Sequence, residues 1–83
     1  MTIKLLEELE ADTGIGWWDT NRRKLNEVIQ CFNDWQVKHK FDSLEKDVLL
    51  ARINACRRYG EENSFSGWQY ELLDEITSWV LKN

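Results

Sequence analysis

The sequence predicts an all-α fold, a single small bundle of one short and three longer helices. Apolar residues recur at steps of three and four in four separate segments, and no segment sustains the period-two alternation of a half-buried strand. The chain has no proline and only four glycines in 83 residues, so the breaks between elements are short. Together these features leave little room for a sheet or a second domain.

The first helix is expected over 3–12. Thr2 stands where a cap belongs, Ile3, Leu5, Leu6 and Leu9 form a broad apolar face, and Gly14 and Gly16 stop the helix. The second is expected over 20–39, capped by Asp19, Thr20 or Asn21. Its Leu25, Val28, Ile29, Phe32 and Trp35 share one arc at about 100° per residue, and Lys38, His39 and Lys40 crowd the last turn, where the helix dipole favours cations.

Asp42 and Glu45 read as a capping box opening a third helix over 43–59, ended by Gly60. Leu44, Val48, Ala51, Ala55 and Tyr59 make one stripe, while Leu49, Ile53 and Cys56 make another roughly 120° away. Two apolar sides place this helix at the centre of the bundle; the alternative is one side inside and the other against a partner. The fourth helix, 66–82, has the clearest start. Ser66 and Gln69 form a capping box, Phe65 and Tyr70 a hydrophobic staple, and Leu72, Leu73, Ile76, Trp79 and Val80 the buried face. The expected core is Leu25, Ile29, Phe32, Trp35, Val48, Ala55, Leu72, Ile76 and Trp79.

Size constrains function. A chain of this mass exposes roughly 5,200 Å² when folded, against about 14,500 Å² when extended, so it supports one core. A partner footprint of about 800 Å² fits on one face of such a bundle. A water-excluding cleft of about 300 Å³ is hard to cut from so thin an interior. Binding is therefore favoured over catalysis.

The residue types agree. A nucleophile needs a base within hydrogen-bond reach, yet the single histidine, His39, lies eight residues from Cys31, about 12 Å along a helix. The same separation argues against a Cys and His metal site, with Cys56 the only other thiol. Gly14-Ile15-Gly16 lacks the third glycine, the preceding strand and the lysine of a phosphate loop. No enzyme, cofactor or metal is expected. Residues 1–12 lack the basic start and apolar run of a signal peptide, no stretch is long enough to span a membrane, and two cysteines make no disulfide framework, so a cytoplasmic protein is expected.

The net charge of −4 is unevenly spread. Residues 1–19 carry one base and five acids and 60–83 one base and five acids, whereas 20–40 carry five bases and two acids. Arg22, Arg23 and Lys24 fall in the expected first turn of the second helix, where cations are disfavoured. They need compensation from Glu7, Glu8, Glu10 and Asp12, or from an external anion. Nucleic acid is an unfavourable anion here. In a helix-turn-helix built from the second and third helices, the start of the recognition helix would carry Asp42, Glu45 and Asp47.

Five tryptophans are dense for this length, and Trp17 and Trp18 are adjacent, so both cannot enter the core in the same way. The function expected is that of a small acidic protein-binding module acting by occupancy: an inhibitor, an antitoxin or immunity-type factor, or a phage-borne modulator of a host complex. Trp17 or Trp18 would anchor the partner, and Glu61, Glu62, Glu71, Asp74 and Glu75 would guide a basic surface towards them. The alternatives are a helix-turn-helix nucleic-acid binder and a structural homodimer joined through Leu49, Leu50 and Ile53.

Overall fold

Three helices form in the computed structural model, which describes residues 2–10 and 16–83: α1 (Gly16–Val37), α2 (Ser43–Glu62) and α3 (Gly67–Lys82). Among the described residues there is no strand. α2 packs against both α1 and α3.

The expected first helix does not form over the described residues 2–10, which run as an extended strap along α1. Its backbone is held by side-chain amides. Asn26 accepts from Leu9 N–H at 2.7 Å and donates to Leu9 C=O at 3.1 Å. Asn33 treats Leu6 in the same way at 3.0 and 2.8 Å, and Gln36 treats Lys4 at 2.6 and 2.8 Å. These six bonds replace the intrahelical bonds that residues 4–9 would otherwise make, which is why the segment lies extended. Leu6 and Leu9 pack against the core, while Ile3 and Leu5 face out.

α1 starts before its expected cap, so Asp19, Thr20 and Asn21 all lie inside it. Asp19 sits in the first turn, at the positive end of the dipole. The buried side is wide, because at about 100° per residue Trp35, Val28, Phe32, Leu25, Ile29 and Asn26 sweep roughly half the circumference. α2 covers one half of that arc and the strap covers the other. Lys38, His39 and Lys40 fall beyond the helix rather than in its last turn. The chain leaves through left-handed backbone at Lys40 (φ 48°) and Phe41 (φ 62°), with Phe41 N–H bonded to Trp35 C=O at 3.0 Å. The Trp35 indole then donates to Asp42 C=O at 2.9 Å and meets the Phe41 ring edge-on at 5.0 Å, which fixes the corner.

Asp42 precedes α2 but makes no side-chain cap bond. The expected capping box fails because Glu45 turns towards His39, with Nε2 and Oε2 4.0 Å apart. Gly60 does not end the helix; it lies buried within it, two residues before its end. A Cβ there would stand 2.3 Å from the Phe65 ring, so the glycine provides space for the aromatic that leads into α3. At that junction Ser66 N–H donates to Gln69 Oε1 at 2.6 Å, and Phe65 packs on Tyr59 at 5.8 Å and on Tyr70 at 5.9 Å. The capping box and the staple both form.

The core contains Leu25, Ile29, Phe32, Trp35 and Ile76 as expected, together with Val28, Leu49, Ile53, Leu73 and Val80. Four expected members are displaced from it. Val48 and Ala55 are exposed, and Leu72 and Trp79 are only half-buried. The reason for the two α2 residues is geometric: α2 buries the Leu49, Ile53 and Cys56 stripe, and among the described residues nothing covers its other side. α2 does take the central position, against both α1 and α3, but only its Leu49, Ile53 and Cys56 stripe is buried, which corrects the expectation for Val48 and Ala55.

Two glycines give opposite tests. Gly60→Ala should destabilise the chain by about 1–2 kcal/mol, since overpacking against Phe65 outweighs the helix propensity gained. Gly67→Ala, with nothing within 4 Å of the added carbon, should leave stability unchanged or raise it by up to about 1 kcal/mol. Urea denaturation of both variants checks the pair, and a stabilised Gly60→Ala would show that the ring yields freely.

Candidate functional site

The surface that α2 leaves uncovered is the best-formed candidate. Leu44 is 75% and Val48 45% exposed, and Ala51 and Ala55 continue the same row. At 1.5 Å per residue the row is about 16 Å long. Ala55 also belongs to a groove between α1 and α2, lined by Lys24, Glu27 and Val28 from one helix and Arg52, Cys56 and Tyr59 from the other. The apolar row therefore runs into a cleft with both signs of charge at its rim. The groove encloses about 120 Å³, well under the roughly 300 Å³ of a small-molecule pocket. Its shape suits a protruding side chain of a partner better than a whole metabolite.

The basic cluster is largely compensated from within α1. Asp19 receives Arg22 at 2.6 Å and Arg23 at 2.8 Å, an acid on the same helix rather than Glu7, Glu8 or Glu10; Asp12 lies outside the described residues. Those two guanidinium groups, Arg22 first, hold the Asp19 carboxyl below its ordinary value. Lys24 lies over the Tyr59 ring, 5.4 Å from its centre. Arg22 and Arg23 thus share an acid within α1, and Lys24 rests on an aromatic face.

The acidic residues at the end of α2 and along α3 divide in two. Asp74 pairs with Arg57, and Glu75 with Lys4 at 2.9 Å. Glu61, Glu62 and Glu71 are exposed and enter no ion pair among the described residues. The expected cluster is thus reduced to three open carboxylates near the end of α2 and the start of α3.

Leu49 and Ile53, expected in a homodimer face with Leu50, are each 1% exposed, and Leu50 is half-buried. That face is spent in the core. The side chains of Trp17 and Trp18 lie outside the described residues. Exposed aromatic surface is instead found at Trp68, 46% exposed at the start of α3, which sequence reasoning passed over. The signal was its position: the second residue of a helix, before the apolar periodicity begins.

Among the described residues no group of three His, Cys, Asp or Glu side chains is placed to hold a metal ion, and no helix is long and apolar enough to cross a membrane. Both thiols are free. Burial raises the Cys31 thiol and pushes Cys56 up to about 11, so both favour the inert protonated form. Comparison of the chain with protein families, with curated proteins and with solved structures finds no match.

The Cys56 shift has a definite sign. A thiol raised in the folded state contributes stability fully below its unfolded value of about 9, and that contribution declines as pH climbs towards 11. The stability of the wild type relative to Cys56→Ala should therefore narrow between pH 8.5 and 10.5 on the order of that window. Ellman's reagent should modify Cys56 slowly at pH 8 until urea is added, and rapid labelling of the native chain would contradict the burial.

Proposed function

We propose that this chain is a protein-binding module that acts by occupancy, covering part of another protein rather than transforming a substrate. One observation carries the reading: the uncovered row Leu44, Val48, Ala51 and Ala55 on α2, continuous with the groove at Cys56 and Tyr59. Isolated exposed apolar side chains are common and need no explanation. A row lying along one helix and opening into a cleft is the arrangement into which a partner helix packs. Ala51 and Ala55 lower the surface at its middle, letting a second backbone come close. Arg52 on one flank and Asp47 and Arg58 on the other supply a mixed polar rim, as binding surfaces commonly have.

The open carboxylates Glu61, Glu62 and Glu71 supply a field that attracts a basic partner, and their effect on association falls with added salt. Trp17 and Trp18 stay in the proposal as further anchors on residue type alone. An inhibitor, an immunity-type factor or a modulator of a larger complex fits this mode of action, since each needs only a stable surface.

The test separates surface from scaffold. Val48→Glu with Leu44→Glu should shift stability by no more than about 0.5 kcal/mol, because both side chains already face water. Leu49→Ala, on the opposite stripe, should cost about 2–5 kcal/mol. A protein that co-purifies with the wild type from its native host should be lost with the double glutamate variant and kept with Lys82→Ala. Retention of that protein by a folded double variant would move the site elsewhere.

A further inference from the structure

We propose that the side of α1 carrying Asn26, Asn33 and Gln36 is a peptide-binding groove, occupied here by the chain's own strap as an internal ligand. Its external ligand is an extended segment of a partner protein with a cation at one position and leucines two and five residues later. This site is separate from the α2 row and rests on different observations.

The first observation is the kind of contact. Each of the three amides bonds both the N–H and the C=O of a single strap residue, so the groove reads backbone at Lys4, Leu6 and Leu9. A contact of this type grips an extended chain whatever its side chains, as a sheet edge does when it takes up a strand. The sequence requirement comes from a few points. Lys4 Nζ reaches Glu75 at 2.9 Å and lies over the Trp79 ring, 5.2 Å from its centre, while Leu6 and Leu9 press on the core. Ile3, Leu5, Glu7 and Glu8 face solvent and impose nothing.

The second observation concerns the vacant state. An element that belongs permanently to a core is backed by apolar surface, which is costly to bare. Behind the strap the helix offers Asn26, Asn33 and Gln36 instead, and water satisfies amides readily once the strap lifts. Lifting the strap also bares the core surface beneath Leu6 and Leu9, so those two side chains set the cost of opening. The groove is therefore able to stand open and refill.

The third observation is competition. The strap is tethered a few residues from the start of α1, so it competes at an effective concentration on the order of millimolar for a short linker. An external segment binds weakly until the strap is loosened. The strap thus sets the threshold for entry.

The probe is a fluorescein-labelled synthetic peptide of residues 2–10, titrated by anisotropy against the full chain. With Leu6→Ala and Leu9→Ala in the chain, the peptide should bind about tenfold or more tightly than to the wild type. The added change Asn33→Leu should abolish the gain, and a peptide with both leucines replaced by aspartate should not bind. If the double alanine chain loses its helical circular dichroism, Lys4→Glu replaces it, weakening the strap by repulsion from Glu75. Absence of peptide binding to a folded, strap-weakened chain overturns the proposal. So does a wild-type chain that sediments at twice the monomer mass while excluding the peptide, because the occupant would then be a second copy. Val48→Glu should leave peptide binding unchanged, so loss of the α2 surface and loss of this groove are read separately.

Discussion

An extended chain laid on a helix brings backbone N–H and C=O groups that have no neighbouring strand to bond. In this protein three amides of α1 meet that demand, and much of the architecture follows. Because Asn26, Asn33 and Gln36 satisfy residues 4–9, the strap covers one half of the wide buried arc of α1 without becoming a helix. Because the strap crosses from Gln36 to Glu75 and Trp79, it ties α1 to α3, two helices that otherwise meet mainly through α2. The strap lies on α1 and α3, and among the described residues nothing covers the Leu44, Val48, Ala51 and Ala55 row on the far side of α2.

The parts of the fold legible in the sequence are those where a single period decides. α1 and α3 each bury one arc, and Leu25, Ile29, Phe32 and Trp35 on one and Ile76 on the other lie where spacing alone puts them. The start of α3 was readable for another reason: Ser66, Gln69, Phe65 and Tyr70 interact across three to five residues, so their geometry is local. Asp42 shows the limit of that argument. Its neighbourhood is set by the Trp35 indole and by His39, contacts that a local capping motif does not contain.

The strap was not legible, for a physical reason. Ile3, Leu5, Leu6 and Leu9 fit a helical face, and short apolar runs do not distinguish helix from extended chain. What decided the matter was on α1, where uncharged amides at 26, 33 and 36 fall within or beside the buried arc of Leu25 and Ile29. On a solvated face their spacing means nothing; beside an extended chain it matches two- and three-residue advances along the strap. The two stripes of α2 posed a related problem. Both were visible, but which one is buried depends on how many layers the bundle has, and that number changed when the first helix became a strap.

Charge shows the same division between local and global control. Arg22 and Arg23 needed an acid, and the sequence offered Glu7, Glu8 and Glu10, yet among the described residues the partner is Asp19, three and four residues away on the same helix turn. The earlier start of α1 made this possible by placing Asp19 inside the helix. The consequence reaches the surface: Arg22 and Arg23 direct their charge at Asp19, while among the described residues Glu61, Glu62 and Glu71 enter no ion pair. The two surfaces argued for here then differ in kind. The α2 row has no polar group to satisfy and gains by excluding water, so its occupant is chosen by shape and apolar area. The α1 groove is lined with donors and acceptors that water serves almost as well, so its occupant must offer a backbone in register and a lysine or arginine for Glu75 and Trp79. The two also differ in their relation to the core: Val48 and Ala55 lie outside it, whereas the amides hold a segment whose Leu6 and Leu9 press on it.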